Sequence, residues 1–298
     1  MSYSVAIAGT TSKTLLCAQA LWQHPQFEIS LVITPVAKPV GRKQIFTPNP
    51  LQNFADSNHI PTVLVKNKVD EQVKKEILSF DRPDFLLVVD FGYLIPQWLL
   101  DYPQTMPLNI HPSDLPKWRG SSPGQLVLKN GETTSAVSLI KMTTEFDQGP
   151  IVWQKEFAVG KNWTQTQYYQ HSFELVVEEL PQIMIKLANK QITPTPQPTI
   201  SPTPVASKLT KQDTFVDWEM FKKAISGDQQ LALDLERATR AYSPWPLLWT
   251  EIPTSKGPRR MQIITTSLDQ EGRLTLNKVK VAGLAIKPYQ EIKNIIQD

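Results

Sequence analysis

The first half of the chain alternates two textures of apolar and polar positions. Tyr3–Ala8, Ile29–Thr34, Phe85–Val89, Leu108–His111 and Ala136–Met142 are short, nearly continuous apolar runs. A strand covered on both faces needs no polar positions, so these runs predict buried strands. Between them, Lys13–Gln23, Leu51–Asn58, Asp70–Phe80 and Pro123–Asn130 space their apolar residues for helices. The βαβα order predicts an α/β fold built on a doubly wound, mostly parallel sheet. Ligands on such sheets lie beyond the carboxyl ends of the strands, which makes the residues just after each strand the first candidates for chemistry.

Thr164–Lys190 reads as helical, with Pro181 either kinking it or starting a second helix. The texture then changes. ITPTPQPTISPTPVASK carries Pro194, Pro196, Pro198, Pro202 and Pro204, a composition that favours extended backbone and offers no periodic face. It is expected to link two domains. Beyond it, Asp228–Tyr242 has helical spacing at Leu231, Leu235 and Ala238. Short strand-like runs follow at Leu247–Ile252, Met261–Thr265, Leu274–Val281 and Ala285–Pro288. One helix among several short strands predicts a small β-barrel of the open Greek-key, OB-like kind.

Length agrees with two domains: 298 residues exceed the roughly 100–150 typical of one. Hydrophobic residues at 41% and charged residues at 20% are too rich in apolar material for a disordered chain. No apolar run approaches the roughly 18–20 residues of a membrane span, and the start lacks a leader pattern, so a cytoplasmic protein is expected. Cys17 is the only cysteine, which excludes an intrachain disulfide and a cysteine-based zinc site. The net charge of +3 is concentrated: residues 205–298 hold 14 Lys and Arg against 11 Asp and Glu, and the remainder is balanced at 17 each. That placement suits a polyanionic partner of the C-terminal part, as phosphate neutralisation is the sequence-independent share of nucleic-acid affinity.

Asn109 and His111 stand two apart on a strand, hence on one face, and PSDLPKWRGSSPG follows as an irregular loop at the strand's end. Asp147 comes after the next long strand, in TTEFDQGP, where a neighbouring strand would deliver it to the same rim. Acyl transfer to an amine needs a donor for the developing oxyanion, a group that moves protons, and a partner for that group. A carboxamide suits the first role and an imidazole the second. A carboxylate suits the third, by fixing the imidazole's tautomer or by taking the proton of the amine. Taken singly, a strand-end histidine and a loop aspartate are more often structural. His24, His59 and His171 lack matched ligands, so no metal is expected. Gly9 after the first strand is a single glycine where a dinucleotide fingerprint has three, which leaves a tight turn, beside a ligand or not.

Together NIHPSDLPKWRGSSP, the opening strand with Gly9, PVAKPVGRKQIFTPNP, VVDFGYLIP, the DQG around Asp147, and KLTKQDTFVDW followed by TRAYSPWP carry a resemblance. In order and spacing, over almost the whole chain, they resemble the folate-dependent formyltransferases, most closely the branch acting on aminoacyl-tRNA. The resemblance implies 10-formyltetrahydrofolate as co-substrate and no metal. It implies the α-amine of methionine on initiator tRNA as acceptor, giving the formylated tRNA of translation initiation. Asn109, His111 and Asp147 fall on the family's catalytic positions. Ser113, Asp114, Leu115 and Pro116 fall on its folate loop, Phe91, Gly92, Tyr93 and Leu94 on its pterin-lining segment, and Arg42 and Lys43 on a loop that approaches the tRNA. It implies a Rossmann-like catalytic domain over 1–190, a linker over 191–207 and a tRNA-binding domain over 208–298, in a monomer with no membrane partner. Five positions depart from the family's usual residue: Thr11 for proline, Asp90 for alanine, Asp114 for leucine, Lys117 for arginine and Gly124 for isoleucine. Two alternatives stay open, a nucleotide amino-sugar as acceptor and a catalytically silent RNA-binding relative.

Overall fold

The computed structural model describes residues 2–41 and 44–297. The chain opens with β1 (Tyr3–Gly9), α1 (Ser12–Trp22), β2 (Phe27–Pro35), a hairpin of β3 (Lys38–Val40) and β4 (Ile45–Thr47), and α2 (Pro50–Ser57). β5 (Thr62–Val65), α3 (Glu71–Ile77), β6 (Phe85–Val89), α4 (Gln97–Leu100), β7 (Met106–His111), α5 (Pro123–Lys129) and β8 (Thr134–Lys141) follow. After β9 (Ile151–Ala158) and the long α6 (Gln165–Ala188) come the proline-rich segment, α7 (Trp218–Ser226) and α8 (Gln229–Tyr242). Four strands close the chain: β10 (Leu248–Ile252), β11 (Arg259–Leu268), β12 (Leu274–Val281) and β13 (Lys287–Pro288).

Seven strands form one sheet in the order β5-β2-β1-β6-β7-β8-β9. The pairs from β5 to β7 are parallel and β8 runs against β7. The expected α/β sheet is therefore present, mostly parallel, and its order reverses between β1 and β6. Val5–Ala8 and Phe85–Leu87 are fully buried, the state their unbroken apolar runs call for. Helix starts follow local chemistry: Asn49 accepts from the N–H groups of Leu51 and Gln52 at α2, and Asp70 from those of Gln72 and Val73 at α3. A single helix, α6, runs through Pro181. Leu180, Ile183, Met184 and Leu187 around that proline are buried, and their packing outweighs the roughly 3 kcal/mol of an interior proline.

The C-terminal strands form a four-stranded antiparallel sheet, β10-β11-β12-β13. Among the described residues no pairing joins β13 to β10, so the expected barrel stands as an antiparallel sheet. By compactness the chain divides into Met1–Arg119, Ala136–Glu156 and Gln170–Pro202 on one side and Gly120–Ser135, Phe157–Tyr169 and Thr203–Asp298 on the other. The division expected at residues 190 and 207 rests on a different property, composition along the chain. Composition changes at the proline run, whereas compactness depends on which apolar faces meet, and α5 packs on α8. No helix among the described residues is long and apolar enough to cross a membrane.

Candidate active site

β7 sets the site. Asn109 pairs with Val88 of β6 and with Ile140 of β8, and His111 pairs with Ser138. Strand alternation puts the carboxamide and the imidazole on one face, with Ile110 buried on the other. The Asn109 side chain is half-buried and makes no hydrogen bond within the described residues, which leaves its N–H groups free to donate outward.

His111 is oriented from behind. Its Nε2 lies 3.0 Å from the carbonyl oxygen of Trp118. A carbonyl can only accept, so Nε2 carries a hydrogen and donates it. The other ring nitrogen, Nδ1, faces Oδ2 of Asp147 at 3.6 Å, with side chains 5% and 9% exposed. That distance is longer than a hydrogen bond, and the contact is an ion pair only when the ring is protonated. That leaves Nδ1 as the ring nitrogen able to exchange a proton, and it faces a nearly buried carboxylate.

Asp147 has φ of +54°, in the left-handed region that aspartate tolerates better than most residues. Two residues on, the Lys141 carbonyl occupies the place of a side chain at Gly149, so glycine is required there. The loop thus turns sharply, with Glu145, Phe146 and Gln148 exposed and the Asp147 carboxylate turned inward.

The loop after β7 is held by hydrogen bonds of its own and by others from β8, β9 and the proline-rich segment. Ser113, fully buried, donates from Oγ to the Lys117 carbonyl at 2.7 Å. Ser138 donates to the Ser113 carbonyl at 2.7 Å, Gln154 to that of Leu115 at 3.1 Å, and Ser201 to that of Pro116 at 2.8 Å. Ser113 and Leu115 therefore face protein and shape the loop. In the other expected folate segment the rings of Phe91 and Tyr93 meet edge-on at 5.4 Å, Tyr93 donates its hydroxyl to the Lys66 carbonyl at 3.0 Å, Gly92 is exposed and Leu94 is 82% exposed. Arg42 and Lys43 lie outside the described residues. Gly9 is closed by its own fold: the Thr14 side chain and the Val89 carbonyl fill the space of a Cβ.

The five departures noted in the sequence have partners. Thr11 donates from Oγ1 to Asp90 Oδ2 at 2.7 Å, and Lys13 Nζ approaches the same oxygen at 2.6 Å. Asp114 pairs with Lys117 at 3.0 Å, which turns its carboxylate to a local cation. The space above Gly124 is filled by the rings of Tyr168 and Tyr169. Cys17 is fully buried, and burial together with the Asp90 charge pushes its thiol far above the ordinary range, so it is an inert part of the packing.

Arg119, 6% exposed, and Gln197 escaped the sequence reading. Arg119 donates to the side-chain oxygen of Gln197 and to the carbonyls of Pro198 and Thr199, and Gln197 donates to the carbonyls of Asp147 and Gly149. Burial lowers the Arg119 guanidinium from its ordinary value, and the Asp147 charge opposes the shift. The one available signal was a polar residue able to use four hydrogen bonds, set among prolines.

Comparison with known proteins now adds to this geometry. Residues 1–184 match the family model described as formyl transferase. The methionyl-tRNA formyltransferase of Idiomarina loihiensis is 30% identical over 249 residues, 83% of this chain and 74% of that protein. Among solved structures, a sugar 3N-formyl transferase, WlaRD, in the presence of dTDP and 5-N-formyl-THF superposes with a TM-score of 0.62 at 19% identity, covering 91% of this chain and 88% of that one. The methionyl-tRNA formyltransferase of Clostridium thermocellum superposes with a TM-score of 0.58 at 15% identity, covering 94% and 98%. With a family model matched over more than half its length, and a curated relative at 30% identity, this chain belongs to the formyl transferase family of enzymes.

Proposed function

We propose that this enzyme transfers the formyl group of 10-formyltetrahydrofolate to the α-amine of methionine esterified to initiator tRNA, in the cytoplasm. The observation that carries the chemistry is the facing of His111 and Asp147 beside the unpaired Asn109 carboxamide. The acceptor rests on the relative named for methionyl-tRNA, matched over 83% of this chain, which reaches past the family model into the C-terminal part. The donor rests on the family and on the folate that accompanies the sugar 3N-formyl transferase.

In this reading the amine attacks the formyl carbon, and the carbonyl π bond opens to an oxyanion. Asn109 donates an N–H to that oxygen, where a pre-aimed neutral donor is worth most. His111, its Nε2–H held by Trp118, exchanges a proton through Nδ1, and Asp147 receives the proton lost by the amine or holds the ring's charge. Collapse re-forms the carbonyl and breaks the bond to the folate nitrogen, which leaves with the proton that the His111–Asp147 pair took from the amine. Ser113–Pro116 and Phe91–Leu94 border the donor. Arg42 and Lys43 approach the phosphates of the acceptor stem, and residues 208–298 form the tRNA-binding part, joined to a catalytic part over 1–190.

The test offers 10-formyltetrahydrofolate with methionyl initiator tRNA or with nucleotide amino-sugars and follows formyl incorporation. Formylated tRNA is the expected product. Turnover of a sugar with none of the tRNA overturns the acceptor, and no turnover of either with tight RNA binding overturns catalysis. His111→Ala and Asp147→Asn each lower the chemical step about a hundredfold or more, the loss expected for a positioned proton-transfer group. Wild-type turnover in both variants removes the pair from the mechanism.

A further inference from the structure

The proline-rich segment 191–207 was expected to be a linker, and its composition gives it no face of its own. It is nevertheless anchored. Thr195 and Ile151 exchange two backbone hydrogen bonds of 2.8 Å. Two residues later, Gln197 uses every hydrogen-bonding group of its side chain. Nε2 donates to the carbonyl of Asp147 at 3.0 Å and to that of Gly149 at 2.7 Å. Oε1 accepts from Arg119 twice, from Nε at 3.1 Å and Nη2 at 2.9 Å. Arg119 is bound in turn to the strap itself, Nη2 to the Pro198 carbonyl at 2.6 Å and Nη1 to that of Thr199 at 3.2 Å.

This places both halves of the candidate acid–base pair on two adjacent residues. Trp118 holds His111 through its carbonyl, and Arg119 holds the Asp147 turn through Gln197. A fork of fixed planar geometry is suited to this, as it presents several donors in one orientation. The turn it steadies has neighbours exposed on both sides of Asp147 and a backbone in the left-handed region. We propose that Gln197 and Arg119 are positioning residues that set the separation of the Asp147 carboxylate from the His111 ring, and that the proline-rich segment is thereby a strap of the active centre. Resting on the reading of Asp147 as a catalytic residue, the proposal adds what holds that residue in register.

Gln197→Glu is the informative variant. It keeps an acceptor for Arg119 and replaces the two N–H donors facing the Asp147 and Gly149 carbonyls by an oxygen that repels them. The expected result is a kcat about ten- to a hundredfold lower, with KM for both substrates within about threefold, since misplacement of a reacting group by about 1 Å costs on that order. Gln197→Ala and Arg119→Lys follow in the same direction, and thermal unfolding of each checks that the chain is folded. The deciding measurement is the same substitution in an Asp147→Asn background, where Gln197→Glu adds less than about twofold because the group it positions has lost its function. A folded Gln197→Glu enzyme with wild-type kcat, or one whose loss persists in full beside Asp147→Asn, overturns the positioning role. Wild-type kcat in Asp147→Asn alone instead overturns the catalytic reading of Asp147, so the two failures are distinct.

Discussion

Gly124 is the departure whose consequence can be worked from distances. A Cβ at this position of α5 would lie 2.5 Å from Cδ1 and 2.8 Å from Cε1 of Tyr168, and 3.0 Å from Cζ of Tyr169. Carbon atoms rest about 3.5–4.0 Å apart, so Gly124→Ala requires the Tyr168 ring to move by about 1 Å. The ring has little freedom to do so. It is fully buried, its hydroxyl lies 2.7 Å from Oγ of Ser135, and the rings of Phe157 and Tyr169 each stand 5.5 Å away. Overpacking of this kind costs about 1–3 kcal/mol, and replacing glycine by alanine in a helix returns roughly 0.5–1 kcal/mol. The expected net loss is about 1–2 kcal/mol, or a melting temperature lower by roughly 2–8 °C. Gly92, with nothing within 4 Å of its Cβ position, supplies the control, and Gly92→Ala is expected to melt with the wild type. Circular dichroism melts of the three proteins decide the matter. Gly124→Ala melting at or above the wild type would show that Tyr168 yields and refute the reasoning. Isoleucine, the usual residue of the resembling family, is expected to cost more than alanine.

Thr11 and Asp90, two departures that bond each other, are expected to be coupled. Thr11→Ala, Asp90→Ala and the double variant, compared by urea unfolding, give an interaction of about 0.5–1 kcal/mol for a half-exposed charge-assisted bond, and strict additivity counts against it. Asp269 is held below its ordinary value of 3.8, first by the side-chain bond from Arg273 and then by backbone N–H groups. A depressed carboxylate stabilises the fold above its unfolded value and loses that contribution as pH falls through the folded one. The stability gap between wild type and Asp269→Asn is therefore expected at neutral pH and to narrow below pH 3.8, and a pH-independent gap refutes the assignment. Replacing Arg42 and Lys43 together by alanine should weaken tRNA binding and flatten its dependence on salt, and an unchanged salt slope removes them from phosphate contact.

Local pattern determined much of this protein. Unbroken apolar runs are a direct record of strands buried on both faces, and Asn49 and Asp70 bear the helix starts in their own side chains. Asn109 and His111 were legible as a pair because strand geometry makes residues two apart share a face. Asp147 was legible by resemblance, as no local rule reports a distance across 36 residues. β5 and β9 were missed, being short or interrupted by polar positions at Gln154, Lys155 and Glu156. Pro181 was ambiguous because helix continuity there depends on buried neighbours supplied by the fold.

What tertiary structure alone decided is how separate segments use one another. The composition of residues 191–207 describes a stiff, featureless spacer, and its role arises only where Gln197 meets Arg119 from 78 residues away and the carbonyls of Asp147 and Gly149. The departures at Thr11, Asp90, Asp114, Lys117 and Gly124 looked like isolated changes in the chain and are matched pairs or filled spaces in the fold. Hydrophobic periodicity is a property of neighbours in sequence, so it writes elements into the chain. Hydrogen bonds between loops join residues with no such period, and only the folded backbone brings them within bonding distance.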